Sequence, residues 1–171
     1  MTSMLTDNIN LFQPTGFRVS IDRQNFANLQ FFVQTVTHPG ANNQAVETAF
    51  QRVQGVPMPG NTMTYGELSF EVLLDEDFVA YTEMYNWMLR LVNEEQVKKR
   101  DDFSGQTATA PTFADIHVTA LTSHNNQNVK FKYFDCVPVN IGDIRFEANN
   151  QSVEYYTFNA SFRFSHFDIV V

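Results

Sequence analysis

Apolar and polar residues alternate along most of the chain, and a period of two predicts strands. Phe17, Val19 and Ile21 interleave with Arg18, Ser20 and Asp22, so residues 15–23 read as a strand with one inward row and one row turned to water or a partner. Residues 28–37 carry Leu29, Phe31 and Val33 on one side and Phe32 and Val36 on the other, which predicts a strand covered on both faces. His38-Pro39-Gly40 ends it, because proline donates no ladder hydrogen bond and glycine permits positive φ. The alternation is clearest in residues 63–74, where Leu68, Phe70, Val72 and Leu74 share a face.

The period changes after Asp75-Glu76-Asp77, an acidic stretch that favours a helix N-terminus through capping and the helix dipole. Phe78, Tyr81, Tyr85, Met88, Leu89 and Val92 recur at steps of three and four, predicting one amphipathic helix over residues 77–93. Phe78, Tyr81, Tyr85, Trp87 and Met88 are its expected core contacts. Further strands follow at 115–121 and 129–137, joined as a hairpin by the polar turn 123–128, and a final one runs from Val153 to Phe167. Strands this long call for bends or bulges.

Two segments fit neither period. Residues 41–61 are rich in Asn, Gln, Gly and Pro and predict an extended loop, with a short strand at 46–53 and a stretched Val56-Pro57-Met58-Pro59-Gly60. A loop of this size is a candidate contact arm. Residues 94–111 are charged and then rich in small residues, the pattern of an exposed loop. The expected architecture is one domain over 1–171 with an N-terminal extension at 1–12. It is mainly β: an antiparallel sandwich or small barrel of about seven strands, with the helix at its side or end.

Composition narrows the function. The chain has 171 residues, 43% hydrophobic and 14% aromatic, enough to fill a core. Its formal charge of −8 argues against gripping phosphate, which needs clustered Lys and Arg. Only 18% of residues are charged against 16 Asn and 11 Gln, so the surface is amide-rich. There is neither an apolar run long enough for a membrane helix nor the basic and apolar regions of a secretory signal, and the one cysteine, Cys136, agrees with a reducing compartment.

No reaction assembles from the sequence, so neither an enzyme nor a cofactor is expected. His38, His117, His124 and His166 lack metal-ligand spacing, and Cys136 has no evident activating base. Asp75, Glu76 and Asp77 imitate a cation cluster, but helix capping accounts for them without a metal. No glycine-rich phosphate loop occurs, and Lys98-Lys99-Arg100 is flanked by acids that cancel its field.

Three blocks in order carry a resemblance. They are the strand pair 17–22 and 29–33 leading to Thr37-His38-Pro39-Gly40; the unit Pro57-Met58-Pro59-Gly60, strand 68–72, Asp75-Glu76-Asp77 and the helix with Tyr85 and Trp87; and the pair 134–144 and 154–164 across Asn149-Asn150. Over residues 11–169 the chain resembles the tail tube family of contractile-tailed bacteriophages, which is similar in fold to the tube protein of type VI secretion systems. The resemblance implies hexameric rings stacked into a tube inside a sheath, with baseplate and tail-terminator partners. It also implies phage DNA passing through the lumen without specific binding, and a virion protein assembled in the host cytoplasm without a membrane. Phe32, Val36, Val56, Pro57, Met58, Pro59 and Tyr65 are the expected contacts between subunits or rings, with strands 28–37 and 64–74 forming the ring sheet. A cap or baseplate-initiating protein that makes a single ring is the nearest alternative, and a small-molecule binding barrel the more distant one.

Overall fold

A computed structural model describes residues 16–22, 25–50, 53–92, 112–122, 124–147 and 155–170, with the backbone pairing alone for 46–57. The expected extension at 1–12 and the loop at 94–111 lie outside these residues. The elements in chain order are β1 (Phe17–Ser20), α1 (Ala27–Phe31), β2 (Val33–Thr37), β3 (Ala41–Asn43), β4 (Val46–Phe50), β5 (Val53–Met58), β6 (Met63–Tyr65), β7 (Leu68–Leu73), α2 (Val79–Leu91), β8 (Ala114–Leu121), β9 (Gln127–Ile141), β10 (Thr157–Arg163) and β11 (His166–Val170).

Seven strands form one antiparallel sheet in the order β1-β8-β9-β10-β7-β2, with β11 also on β9. The 15-residue β9 divides it into two halves: Lys130 to Phe134 pair with β11, and Val137 to Ile141 pair with β10. Between them Asp135 takes a φ of 54°, and β8 slips register, placing Ala114 opposite Cys136 and Ile116 opposite Tyr133. This is a bulge, and it bends the strand. The predicted final strand breaks at the same level, at Phe164–Ser165. Ser165 ties the bend together through its N–H to the Phe134 carbonyl (3.0 Å) and its hydroxyl to the Asp135 carboxylate (3.1 Å). The sheet stays open and does not close into a barrel.

Two expectations need correction. Residues 28–37 are not one strand: 27–31 form a short helix. Alternation at Leu29, Phe31 and Val33 fits a strand, but Phe26 and Leu29, three apart, are both fully buried, while Phe31 is 80% exposed. Phe26 stacks on Trp87 at 4.2 Å, and that long-range contact selects the helical period. Residues 41–61 are likewise not an irregular loop. β3 pairs with β6 and β4 pairs with β5, the two ladders joined by the Gln44 N–H to the Thr62 carbonyl (3.3 Å). Asn42 and Asn43 are exposed, so β3 leaves no apolar alternation to read.

The predicted helix is α2, and Asp75 caps it, accepting the N–H of Val79 (3.0 Å) and Ala80 (3.3 Å). Its fully buried side is Ala80, Met84 and Trp87. Of the expected core stripe, Phe78, Tyr81 and Met88 are half-buried, and Tyr85 is 48% exposed. The face is rotated because Trp87 takes the central slot between Phe26 and Phe162 (5.6 Å), its indole N–H donating to the Thr112 carbonyl (3.0 Å). Among the described residues no helix is long and apolar enough to cross a membrane.

Candidate channel wall and assembly surfaces

The half-sheet β9-β10-β7-β2 has one core face and one open face. Leu68, Phe70 and Val72 on β7 and Phe158, Ala160 and Phe162 on β10 are buried, so the residues between them point outward. Register then aligns Thr37, Ser69, Ser161 and Asn140 in one row across four strands. Beside it run Thr35, Glu71 and Asn159. β7 and β10 are tied across this face: the Ser69 and Ser161 hydroxyls lie 3.3 Å apart, and the Thr157 hydroxyl donates to Glu71 at 3.0 Å. The cation on this face, Arg163, sits 3.5 Å from Glu67. The result is a wall of hydroxyls and amides, with Arg163 largely exposed at its margin.

The other half-sheet has a different outward face. Arg18 on β1 aligns with Thr119 and Lys130, and Ser20 with His117, Lys132 and Asp168. Burial lowers the pKa of His117, with Lys130 and Lys132 adding to the shift and Asp115 opposing it. This face mixes Arg18, Lys130 and Lys132 with Asp115 and Asp168, and Thr119 between Arg18 and Lys130 is buried, whereas the rows of the other half-sheet carry hydroxyls, amides and Glu71.

Both half-sheets end in open edges among the described residues: β1 and β11 on one, β2 and residues 137–141 of β9 on the other. Open edges are templates for pairing with another chain. Along β1 runs a groove of about 760 Å³ lined by residues that include Phe17, Arg18, Gln30, Phe31 and Val33.

The arm formed by β3 to β6 is rooted in an aromatic cluster. His38 Nδ1 lies 2.6 Å from the hydroxyl of fully buried Tyr133, and the His38 ring packs against Phe131 (4.8 Å) and Phe167 (5.1 Å). Tyr65, at the other foot, meets Phe164 at 5.5 Å and Phe167 at 5.4 Å. Loss of solvation lowers the His38 pKa and raises that of Tyr133, so both rings are neutral near pH 7.

The expected contact residues are thus dispersed. Phe32 closes α1 edge-on to Phe31 (5.2 Å), and Val36 is half-buried on edge strand β2, while Tyr65 belongs to the arm root. Met58 is 53% exposed at the end of β5, with Pro59 exposed beside it. Val56 and Pro57 pair through the β5 backbone with Thr48 and Glu47, and their side chains lie outside the described residues. The polar row of Thr37, Ser69, Ser161 and Asn140 was missed. Its signal is Ser69 and Glu71 between the apolar residues of β7 and Thr157, Asn159 and Ser161 between those of β10, but alignment across strands needs the register. Among the described residues no group of three His, Cys, Asp or Glu comes together to hold a metal ion.

The phage tail tube protein family model matches residues 6–170, and the chain belongs to that family. No curated protein matches the sequence. Among solved structures, a chain of the six-fold symmetrised anti-feeding prophage baseplate superposes with a TM-score of 0.63 at 9% identity, covering 98% of this chain and 97% of that one. A chain of the structure of the anti-feeding prophage cap, which terminates the tube, gives 0.66 at 13%, covering 99% and 97%. A chain of the sheath–tube complex of an extracellular contractile injection system in its extended state gives 0.65 at 12%, covering 94% and 91%. At these identities the likeness is one of fold.

Proposed function

We propose that this tail tube protein is the ring-forming subunit of a contractile tail, with the open face of β9-β10-β7-β2 as the wall of a DNA channel. The carrying observation is the row Thr37, Ser69, Ser161 and Asn140, flanked by an open edge at β2 and another at residues 137–141. Six copies joined head to tail through those edges form a closed ring, and each row continues around the lumen as a belt of hydroxyls and amides. Such a wall lets DNA slide, because its two rows of hydroxyls and amides carry no cation, and Glu71 within them repels phosphate. Six-fold symmetry in the matched baseplate and a sheath around the matched tube support the reading. On this reading the protein is a non-enzymatic virion component, assembled in the host cytoplasm with sheath, baseplate and terminator partners. The arm, with Met58 exposed opposite Val46 at the foot of its β4–β5 ladder, reaches the next ring.

Electron microscopy of the purified protein tests the stacking, with long tubes expected. Isolated rings that never stack favour the second reading, a cap or baseplate initiator, which the likeness to the baseplate and cap chains supports. Met58→Asp is expected to shorten tubes without changing the urea midpoint. Ser161→Lys tests the wall: assembled variant tubes should retain a labelled oligonucleotide in a salt-dependent way that wild-type tubes do not. If assembled variant tubes exclude it as wild-type tubes do, the wall lies elsewhere.

A further inference from the structure

The surface beside α2 carries five aromatic rings, of which Tyr81 also packs edge-on against the core residue Phe158 (5.4 Å) while the others spread outward from it. Tyr85 stacks on Tyr81 (6.4 Å), Tyr81 meets Phe78 (6.4 Å), Phe78 meets Phe146 (6.2 Å), and Phe146 meets Tyr156 (6.2 Å). These separations lie within aromatic contact range, so the five rings form one continuous band. Phe146 is 69% exposed, Tyr85 48% and Tyr156 39%.

The band is held in shape. Phe78 takes a φ of 55°, a conformation that bulky side chains avoid, just ahead of α2. The Tyr156 hydroxyl donates to the Glu147 carbonyl (3.1 Å) and accepts the Glu147 N–H (3.3 Å), which fixes the Phe146 segment against the strand entrance. The surrounding charge is acidic. Glu76 and Asp77 are exposed next to Phe78, Asp143 and Glu147 flank Phe146, and Arg145 between them is engaged by Glu147 at 2.6 Å.

Exposed tyrosine and phenylalanine faces in segments that also carry exposed carboxylates fit one kind of partner. We propose that this band docks a basic amphipathic segment of another protein. Its apolar side lies on the rings, and its Lys or Arg groups meet ring faces and the carboxylates of Glu76, Asp77 and Asp143. Charge complementarity selects that occupant: an acidic or uncharged segment would leave the carboxylates desolvated and unmatched. The band belongs neither to the open strand edges nor to the arm, so on the tube reading contacts between copies leave it available to a different chain.

The test uses the full-length protein and a fluorescein-labelled helical Leu/Lys peptide, with a Leu/Glu peptide of the same pattern as control, read by fluorescence anisotropy. The basic peptide is expected to bind and the acidic one not. Phe146→Ser with Tyr85→Ser, which leaves the charge unchanged, should weaken binding about tenfold or more, as truncation of aromatic anchors does. Glu76→Lys with Asp77→Lys should weaken it comparably, with circular dichroism confirming that each variant is folded. Equal binding of both peptides, or undiminished binding by the folded serine variant, overturns the proposal. Loss of self-assembly in the serine variant also overturns it, because it assigns the band to contact between copies. Native mass of the wild type separates the two readings. A monomer that binds the basic peptide defeats the tube and leaves the docking band, and an assembling protein that ignores the peptide does the reverse.

Discussion

Glu83 of α2 caps α1 from across the core: its carboxylate accepts the Leu29 N–H at 2.9 Å and the Asn28 side-chain amide at 2.6 Å. Phe26, at the N-cap of α1, makes no side-chain cap bond, so Glu83, 54 positions beyond Leu29, supplies it. A helix of five residues does not hold alone, because its first N–H groups are orphaned and its nucleation cost is unrecovered. Glu83→Ala should therefore cost about 1–2 kcal/mol in urea unfolding, with Glu83→Gln losing less. Faster hydrogen exchange at Leu29 would report the same loss locally.

Gly60 and Gln44 cross where the two ladders of the arm join. A Cβ on Gly60 would lie 1.5 Å from the Gln44 carbonyl oxygen, a backbone atom that cannot rotate away. Gly60→Ala should open the arm while sparing the core. The expected result is a urea midpoint changed by no more than about 0.5 kcal/mol in stability, with markedly faster proteolysis inside residues 41–65.

His38 makes arm anchoring dependent on pH. Its folded pKa lies below the unfolded value of 6.5 because the surrounding rings desolvate the cation. The unfolded chain therefore binds the proton first, and stability is full above 6.5 and falls as pH drops through that value towards the folded pKa. His117 shifts in the same direction and adds to the slope. Unfolding measured between pH 7.5 and 5.5 should show a shallower loss for His38→Gln than for wild type, and identical slopes would contradict this.

Burial holds the Cys136 thiol protonated, its pKa pushed up to about 12. The thiolate is the reactive form, so the native protein should not react with a disulfide reagent at pH 8 and should react once in urea. Rapid labelling of the native state would show that the bend at Asp135 opens.

Much of the framework was legible in the sequence. The alternation of Leu68, Phe70 and Val72 sufficed for β7, and the steps from Ala80 to Trp87 lie within the predicted helix, because these are local periods of a chain that must bury one face. Asp75 was readable as a cap for a similarly local reason. Tertiary structure decided the rest. Residues 27–31 satisfy either period, and the stacking of Phe26 on Trp87 together with the Glu83 cap selects the helix. The short strand at 46–53 and the arm itself were legible, but the pairing of β3 with β6 was not, because Asn42 and Asn43 leave no hydrophobic trace. The aligned row of Thr37, Ser69, Ser161 and Asn140 joins residues up to 124 positions apart. Strand register brings them together, and register is a property of the packed sheet.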